Sequence, residues 1–522
     1  MHDVVVIGAG HNGLICAAYL ARAGYDVLLL EARDTVGGCA STVDALGARV
    51  NTCNCDHISI RSTPVLDELE LGRHGLLYLD VDPAQLSMLW GGGQPWFLFH
   101  DVERTLDSLR LTYPGEVEGY RRYVRDAVPV ARLVFELALG LPTRWRLAAA
   151  AARHPLAAAR AARWSRSSAV EVLRSYFSEE ALVAPACVVG PALWGVSPAL
   201  PGTGLGALGY ATRHAVQVGR PTGGSGALPA ALAAAFSSAG GTLRSRARVV
   251  AITAEGKGVR GIVVEGGEEI EARAVVVACD PRRALVQWLR EPPAAAEGLL
   301  SRWRSVPPGD GYQSKVDAVV TEPPRYAGLD AVAERLGVRE PSVPTAIVTP
   351  PAQAIDDAWR EMRAGRVAFQ PPVMVNVPSV LDDTMRVDGT DHVLSLEVLY
   401  TPYGLGEAWS ATAEPERWLR SFAELAQPGF ADGVRRWRAV TPPQWEAEFS
   451  LERGFASSFA RSPVALLAGR DPELTRYETP IAGLFLTGQA TFPGASIWGA
   501  SGRNAAVVVD RALSGHPRSS ER

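Results

Sequence analysis

The chain has 522 residues, 47% of them hydrophobic and 21% charged, which is the composition of a globular protein with room for two domains. A formal net charge of −4 gives no field that attracts nucleic acid, so we expect no nucleic-acid partner. Six cysteines are too few for a disulfide scaffold, and Cys53 and Cys55 lack a second Cys or His pair at zinc-ligand spacing. We therefore predict no metal site. The chain begins on an apolar strand without a charged leader, and we expect a cytoplasmic protein.

This first strand runs into a glycine-rich turn that opens a helix. Gly8, Gly10 and Gly13 have the GxGxxG spacing that lets backbone N–H groups approach a pyrophosphate at a helix N-terminus. Glu31 follows the next strand (Val27–Leu30), where a carboxylate accepts hydrogen bonds from a ribose 2′-hydroxyl and repels a 2′-phosphate. The pattern predicts a Rossmann-type dinucleotide site that disfavours NADP.

The residues after Glu31 favour FAD over NAD. Arg33 and the pair Gly37 and Gly38 follow closely, and this extension resembles the FAD proteins of the glutathione-reductase type. In those proteins the paired glycines let the chain pass close to the dinucleotide phosphates. Cys39 comes next, and it is either a small buried thiol or, as a lesser alternative, a covalent flavin attachment.

The other end of the chain carries a second anion site. A strand, Leu484–Thr487, leads into a glycine-rich loop and a closing helix from about Gly502. The positive end of such a helix suits the charge that reduced flavin develops at its N1–O2 edge. The two chain ends thus predict two halves of one flavin site.

Between these ends the sequence predicts an α/β protein in two interleaved parts. We expect a discontinuous Rossmann-like FAD-binding domain of the glutathione-reductase type and an α+β substrate domain. The FAD-binding domain is predicted at 1–75, 220–300 and 481–516, and the substrate domain at 76–219 and 301–480. The main internal elements predicted are a helix at 225–239, a strand at Leu243–Ile252, a hairpin of Val259–Val264 with Glu269–Val277, and strands at Lys315–Val320 and His392–Leu399.

Two segments of the substrate domain have unusual composition. Residues 181–212 carry no charge, but their prolines and glycines argue against any helix there, so we predict an irregular wall around an apolar cavity. The helical segment 143–168 holds six arginines flanked by Trp145 and Trp164, with Pro155 opening its second helix. Such a pair is typical either of a peripheral contact with anionic membranes or of a solvated helical hairpin, and the sequence leaves both open.

Taken together, these motifs resemble the phytoene dehydrogenase family of flavoproteins, which includes carotenoid desaturases and isomerases. Within it, the chain is most similar to the branch of pyridine-nucleotide-disulfide-oxidoreductase-domain proteins related to phytoene dehydrogenase. The likeness spans nearly the whole chain, including Pro221–Leu228, Ala274–Pro281 and His392–Leu396. The end motifs are specific to flavoproteins, whereas the middle ones say little about the substrate.

The resemblance implies which residues bind FAD. Those that match the ADP half are Gly8, Gly10, Gly13, Glu31, Arg33, Gly37, Gly38 and Val249. Those that match the loop beside the isoalloxazine are Gly488, Gly494, Ala495, Ser496 and Ile497. The chain departs from the family at Gln489, where many relatives have an acid, and at Phe492 and Trp498, whose bulk near the ring favours a substrate smaller or flatter than a carotenoid.

The resemblance also implies a reaction, in which an apolar, carotenoid-like or other hydrophobic substrate is desaturated by hydride transfer to flavin N5. Candidates for handling the proton are Lys315, in a predicted strand, and His57, in a loop; a solvent-facing lysine and a structurally hydrogen-bonded histidine are the alternatives. The chain has no second Rossmann fingerprint, so we expect oxygen or a quinone as electron acceptor. A flavin amine oxidase and a non-catalytic flavoprotein remain the alternative functions.

Overall fold

The computed structural model describes residues 1–53, 56–338, 343–456, 458, 469–494 and 496–515. The described strands are β1 (His2–Ile7), β2 (Val27–Leu30), β3 (Thr42–Ala45), β4 (Ala48–Asn51), β5 (Tyr78–Asp80), β6 (Gln85–Leu89), β7 (Trp96–Leu98), β8 (Gly219–Pro221), β9 (Thr242–Arg244), β10 (Val249–Glu255), β11 (Gly258–Val264), β12 (Glu269–Val277), β13 (Leu289–Arg290), β14 (Gln313–Val320), β15 (Thr345–Thr349), β16 (Val373–Asn376), β17 (His392–Leu399), β18 (Val434–Val440) and β19 (Leu484–Leu486). The described α-helices are α1 (His11–Arg22), α2 (Val65–Glu68), α3 (Val102–Thr112), α4 (Val117–Ala138), α5 (Arg144–Arg153), α6 (Pro155–Trp164), α7 (Ala169–Arg174), α8 (Glu180–Val188), α9 (Gly209–Ala215), α10 (Ala227–Ser238), α11 (Glu297–Ser305), α12 (Asp330–Arg335), α13 (Ala352–Arg363), α14 (Glu414–Ala423), α15 (Pro442–Phe449), α16 (Pro472–Arg476) and α17 (Ala500–Leu513).

The first sheet has the strand order β13-β10-β11-β12-β1-β2-β9, with β19 also paired to β12. Its centre is parallel, because β1 runs parallel to both β12 and β2, and β2 to β9. Strand β12 joins two architectures: its start pairs antiparallel with β11 and its end pairs parallel with β1 and β19. Every strand of this sheet lies within 1–75, 220–300 or 481–516, so distant parts of the chain build one Rossmann-like unit.

The second sheet, of order β18-β14-β17-β16-β15-β6-β7, has two unlike faces. One is apolar and packs on α14 through residues such as Val316, Leu396 and Trp418. On the other face, the register sets Lys315 opposite Glu397, and a layer of polar side chains follows along the neighbouring strands. The predicted fold class, a Rossmann-like domain interleaved with an α+β domain, is confirmed.

Most predicted elements are confirmed, but one predicted strand is in fact two separate strands. The helix at 225–239 corresponds to α10, and the predicted hairpin to β11 and β12. The strand predicted at Leu243–Ile252 is wrong in extent, since β9 ends at Arg244 and β10 begins at Val249. The two pieces have different partners, β2 for β9 and β11 for β10, so one straight strand cannot serve both.

The prediction of an irregular segment at 181–212 is wrong for its first and last parts, because α9 begins at Gly209. Residues Glu180–Val188 form α8, with Pro185 inside the helix. A proline leaves the carbonyl four residues earlier without its helical donor, and here the indole N–H of Trp96 donates to the Ala181 carbonyl at 2.8 Å. Helix α8 is buried in the core that also contains α4 and α9, so its apolar composition reflects packing.

The basic segment forms the hairpin α5–α6, which begins its second helix at Pro155 as expected. Trp145 is 84% exposed, but Trp164 is buried. Arg153 and Arg160 form ion pairs with acidic side chains of α4, at 2.5 and 3.0 Å. Part of the positive charge is therefore neutralised within the protein, and the membrane contact of this hairpin stays a prediction. None of the helices in the described ranges has the length and apolarity that crossing a bilayer requires.

A buried ion pair ties β8 and the segment after β4 to the second sheet. The Arg220 guanidinium, on β8, donates to the Asp56 carboxylate at 2.6 Å, and both side chains are at most 3% exposed. Arg220 also donates to the Pro344 carbonyl and to the Asn376 amide oxygen, at 2.9 and 2.8 Å, while Asp56 accepts from the Thr345 hydroxyl at 2.6 Å. The pair thus joins the segment after β4 to β15 and β16.

We predict that Asp56→Ala strongly destabilises the protein, because it leaves the Arg220 charge buried without its carboxylate. The expected loss in the free energy of unfolding is about 3–5 kcal/mol, measured by urea unfolding. The matched control is Asp80→Ala, which removes the exposed partner of Arg61 at 2.7 Å and is expected to cost less than about 1 kcal/mol. Equal losses in the two variants would contradict this account.

Candidate active site

A cleft of about 1220 Å³, measured out to its open mouth, lies at the carboxyl ends of β1 and β2. Parallel sheets bind ligands at this edge. The predicted residues that line the cleft are Gly8, Gly10, Glu31, Arg33, Gly37, Gly38, Val249 and Gly488. Both chain ends therefore contribute to one site.

The β1–α1 turn depends on close backbone approach. Gly8 has φ +100°, and a Cβ on Gly13 would lie 2.0 Å from the Gly8 carbonyl oxygen, so Gly13 shapes the turn without lining the cleft. Gly10 differs: a Cβ there would meet nothing within 4 Å, because the residue faces the cleft. Helix α1 has no side-chain cap, which leaves its N-terminal N–H groups available to an anion.

Glu31 and Arg33 are held in place beside this turn. The Glu31 carboxylate accepts from the Ala9 N–H at 2.8 Å and from the Arg33 N–H at 3.0 Å, which fixes its position while leaving acceptor sites for hydroxyl groups. The Arg33 guanidinium lies 4.4 Å from the centre of the Phe449 ring. Its Nη1 is buried and has no hydrogen-bond partner among the described residues. A buried donor of this kind favours an anionic ligand.

The C-terminal half of the site is anchored to the first half. Gly488 has φ +103°, and its N–H donates to the Ser501 hydroxyl at 3.1 Å. The Gly502 N–H donates to the side chain of Asn12, a cleft residue, at 3.3 Å. A Cβ on Gly502 would lie 2.3 Å from the Asn12 carbonyl, so the first turns of α1 and α17 pack backbone to backbone.

Gln489 and Ala490 also line the cleft, but the loop beyond them stands apart from its described lining. Gly494 and Ser496 have φ +109° and +87°, and the Ser496 hydroxyl lies 3.3 Å from that of Ser59. Ile497 packs against the hydrophobic core of the first sheet. Ala495 lies outside the described residues. The flavin contacts of these four residues stay predictions.

The two bulky residues of this loop are used in packing. Phe492 is buried, and its N–H donates to the Leu474 carbonyl at 2.8 Å. Trp498 stacks on Phe135 of α4, with ring centroids 4.6 Å apart. Neither is among the residues that line the cleft, so their packing explains their size without reference to a substrate.

His57 is not placed to take a proton. It is fully buried; its Nδ1 is 2.8 Å from the Tyr78 hydroxyl and its Nε2 is 2.9 Å from the Ser225 hydroxyl. Burial lowers the pKa of His57 to about 3, so the ring is neutral with both nitrogens engaged. The structural alternative holds for this residue, and its suggested role as acid or base is corrected.

Lys315 is buried rather than solvent-facing, and its charge is already neutralised. The ammonium group donates to the Asp317 carboxylate and to the Asn51 carbonyl. Asp317 in turn accepts from the Ser395 hydroxyl at 2.7 Å and from the Arg438 guanidinium at 3.1 Å. The amino group of Lys315 is already engaged by a carboxylate and a carbonyl, so its predicted role is corrected as well.

Sequence reasoning missed the carboxylate beside it. Glu397 is 6% exposed, lies opposite Lys315 in the register, and its Oε2 has no hydrogen-bond partner in the described part of the chain. Burial raises the pKa of Glu397 to about 7, although the nearby Lys315 charge opposes the shift. The signal was a single acid within the apolar run 392–399, where strand alternation places it on an inner face.

Glu397 lies behind the wall of the cleft and is not itself one of the lining residues. The groups that interact with its charge include Cys39, which lines the cleft, and Tyr312, whose ring is 6.3 Å from that of the cleft residue Phe455. Tyr312 itself is oriented by a hydrogen bond to the Leu193 carbonyl at 2.9 Å. A titratable carboxyl group thus adjoins the space next to the dinucleotide site.

Comparison with known proteins identifies the family. Residues 13–308 match the family described as flavin containing amine oxidoreductases. The chain belongs to this family.

Individual relatives match nearly the whole chain. It is 27% identical to the mouse pyridine nucleotide-disulfide oxidoreductase domain-containing protein 2, over 98% of this chain and 94% of that one. It is 27% identical to the phytoene desaturase (lycopene-forming) of Pantoea ananas, over 96% and 97%, and 25% identical to a limonene dehydrogenase component of Castellaniella defragrans, over 97% and 94%. These matches confirm the likeness to the phytoene-desaturase-related branch.

A solved structure agrees on the fold. Putrescine oxidase with bound putrescine superimposes with a TM-score of 0.61 over 98% of both chains, at 19% identity. The family and its flavoenzyme neighbours establish FAD as the cofactor and the protein as an FAD-dependent oxidoreductase. The cleft fits this group, since Gly10 leaves space where a side chain would stand and Arg33 offers an unpaired buried donor.

We predict that Gly10→Leu yields folded protein without flavin. The backbone at Gly10 is extended, φ −67° and ψ 166°, so leucine fits the chain but fills the space of the pyrophosphate. The measurement is flavin absorbance of the purified protein, with circular dichroism as the test of folding. Gly115→Leu is the matched control, because a Cβ there also meets nothing within 4 Å and the residue does not line the cleft. A yellow Gly10→Leu protein would contradict the placement of the cofactor.

Proposed function

We propose that this oxidoreductase desaturates a C–C bond of an apolar substrate, of isoprenoid or other hydrophobic biosynthetic origin. Bound FAD supplies the hydride acceptor. The chain's own residues must hold the substrate, exclude water and accept the proton that leaves the adjacent carbon. Oxygen or a quinone would then be the final electron acceptor.

The observation that carries this proposal is Glu397. Desaturation removes a hydride from one carbon and a proton from its neighbour, and a carbon-bound proton needs a base positioned in the site. Glu397 is a buried carboxyl group whose Oε2 has no hydrogen-bond partner among the described residues, and its charge acts on Cys39, which lines the cleft. The charge of Lys315, which is held by Asp317, favours the ionised form of Glu397. We assign Glu397 as the proton acceptor.

The relatives supply independent support. Two that match the full chain are named for the desaturation of phytoene and the dehydrogenation of limonene, both of which are unsaturated hydrocarbons. Amine oxidation is the second candidate, and the fold of putrescine oxidase favours it. Hydride transfer from an amine gives an iminium without removal of a carbon-bound proton, so that reaction does not require a buried carboxylate as proton acceptor.

We predict that unsaturated hydrocarbons bleach the flavin of the purified protein under anaerobic conditions and that simple primary amines do not. The measurement is the flavin absorbance during titration with terpenoid and polyene hydrocarbons in detergent micelles, and with putrescine or cyclohexylamine as the comparison. Bleaching by amines alone would establish the amine-oxidase alternative. Absence of bleaching by either class would support the non-catalytic flavoprotein.

We predict that the rate of flavin reduction by substrate rises with pH through about 7, because the pKa of Glu397 is raised to about 7 and the carboxylate is the form that accepts the proton. Below this pH the group is protonated and the rate falls. In Glu397→Gln the step in the pH profile disappears and the rate drops by about a hundredfold or more, as measured by anaerobic stopped flow. The exposed Glu407→Gln is the control and keeps the wild-type profile. An unchanged profile in Glu397→Gln would remove Glu397 from the reaction.

A further inference from the structure

His11 and Asn12 fill the two variable positions of the GxGxxG motif, between Gly10 and Gly13. The motif itself does not require polar side chains there, because it binds a pyrophosphate through backbone N–H groups. Here both side chains are buried, at 6% and 4% exposure, and both residues line the cleft. Polar side chains buried at an anion site are expected to form hydrogen bonds there.

The orientation of the Asn12 amide is fixed by the other end of the chain. The Gly502 N–H, in the first turn of α17, donates to Asn12 Oδ1 at 3.3 Å. A backbone N–H can only donate, so the arm of the amide that faces Gly502 is its oxygen. The other arm is therefore the NH₂ group, and its Nδ2 lies 3.0 Å from His11 Nε2.

This second bond fixes the tautomer of His11. An amide Nδ2 is a donor only, so Nε2 of the imidazole is the acceptor and carries no proton. The single N–H of a neutral imidazole is then at Nδ1. Burial lowers the pKa of His11 to about 4, so the ring is neutral at pH 7. The chain of bonds that starts at Gly502 thus ends in one N–H group on the ring of His11.

The Nδ1–H group is available to a ligand. Among the described residues, the ring of His11 forms a hydrogen bond only with Asn12. His11 is the first residue of α1, and Cα–Cβ bonds tilt toward the N-terminus of a helix, so its side chain is directed toward the end that binds an anion. The unpaired Nη1 of Arg33, another residue of the cleft lining, is a second donor of this kind.

We propose that His11 donates a hydrogen bond from Nδ1 to the pyrophosphate of FAD, and that Asn12 holds the imidazole in the tautomer that can do so. His11 is then a cofactor-binding residue beyond those that the family resemblance implies, and Asn12 is a positioning residue. Because Asn12 is itself held by Gly502, this side-chain contact requires α1 and α17 to be joined. The two ends of the chain are thereby coupled through one phosphate contact.

The affinities for FAD and for ADP measure this contact. ADP has two phosphates and no flavin, so it reports on the pyrophosphate alone. In calorimetric titrations of apoprotein, we expect His11→Phe to bind both ligands roughly ten- to a hundredfold more weakly than the wild type, the range for a hydrogen bond to a charged group. The amide of His11→Asn places a donor near the position of Nδ1 and is expected to restore most of the affinity.

The matched control is His2→Phe, because His2 lies on β1 outside the cleft lining and its partner Asp26 is exposed. This variant is expected to keep the wild-type affinities. Circular dichroism of each apoprotein tests folding.

The tautomer is measured without any ligand, by NMR of protein with labelled histidine ring nitrogens. We expect the His11 ring, identified by its loss in His11→Asn, to carry a proton on Nδ1 and none on Nε2. Asn12→Leu removes the amide donor and is expected to show both tautomers, together with weaker binding of FAD and ADP.

Wild-type affinity in His11→Phe would overturn the proposal, and so would His11→Asn binding as weakly as His11→Phe. A loss for FAD without a loss for ADP would also overturn it, as would a proton on Nε2 in the wild type whatever the affinities. The family establishes FAD as the cofactor, so failure of the hydrocarbon titration leaves these outcomes intact.

Discussion

The structure depends on backbone-to-backbone contact at two glycines. Gly13 lies so close to the Gly8 carbonyl, and Gly502 so close to the Asn12 carbonyl, that a side chain at either position would collide with main-chain atoms. These contacts bring the first turn of α1 against the first turn of α17, although the two helices stand at opposite ends of the chain. The first turn of α1 faces the cleft and the first turn of α17 packs against it, so an anionic dinucleotide can be held mainly by peptide groups.

The interleaving of the two domains along the chain follows from this contact between the two chain ends. The Rossmann-like sheet takes strands from the start, the middle and the end of the chain, so the second sheet is inserted between them rather than appended. The second sheet turns its polar face inward, where Lys315 reaches the Asn51 carbonyl at the end of β4, while the buried Arg220–Asp56 pair binds β8 to β15 and β16. Hydrogen bonds to these charges make the contact specific in a way that an apolar interface would not.

The charged side chains on the polar face of the second sheet differ in how fully they are paired. Asp317 accepts from Lys315, Ser395 and Arg438, so its charge and that of Lys315 compensate each other. Glu397, opposite Lys315, has one oxygen without a hydrogen-bond partner in the described part of the chain, and its charge acts on Cys39, which lines the cleft. A carboxyl group whose pKa is raised to about 7 beside a dinucleotide cleft is the kind of group that functional sites contain.

The sequence by itself determined the cofactor half of this protein. Gly8, Gly10, Glu31, Gly37 and Gly38 lie within one βαβ unit, where spacing along the chain translates directly into position, and the family resemblance added Val249 and Gly488 at the same cleft. Long elements such as α10 and β17 could also be predicted, because their residue patterns lie within single continuous segments.

Only the tertiary structure decided the chemical half. Only the folded chain shows that Lys315 pairs with Asp317 and leaves Glu397 without that partner. The same holds for His57, whose nitrogens are engaged by Tyr78 and Ser225 from elsewhere in the chain. Helix α8 tolerates Pro185 because the indole N–H of Trp96, on β7, donates to the Ala181 carbonyl in place of the missing backbone N–H. Such outcomes arise from contacts between distant segments, and no local pattern encodes which partner a buried polar group will find.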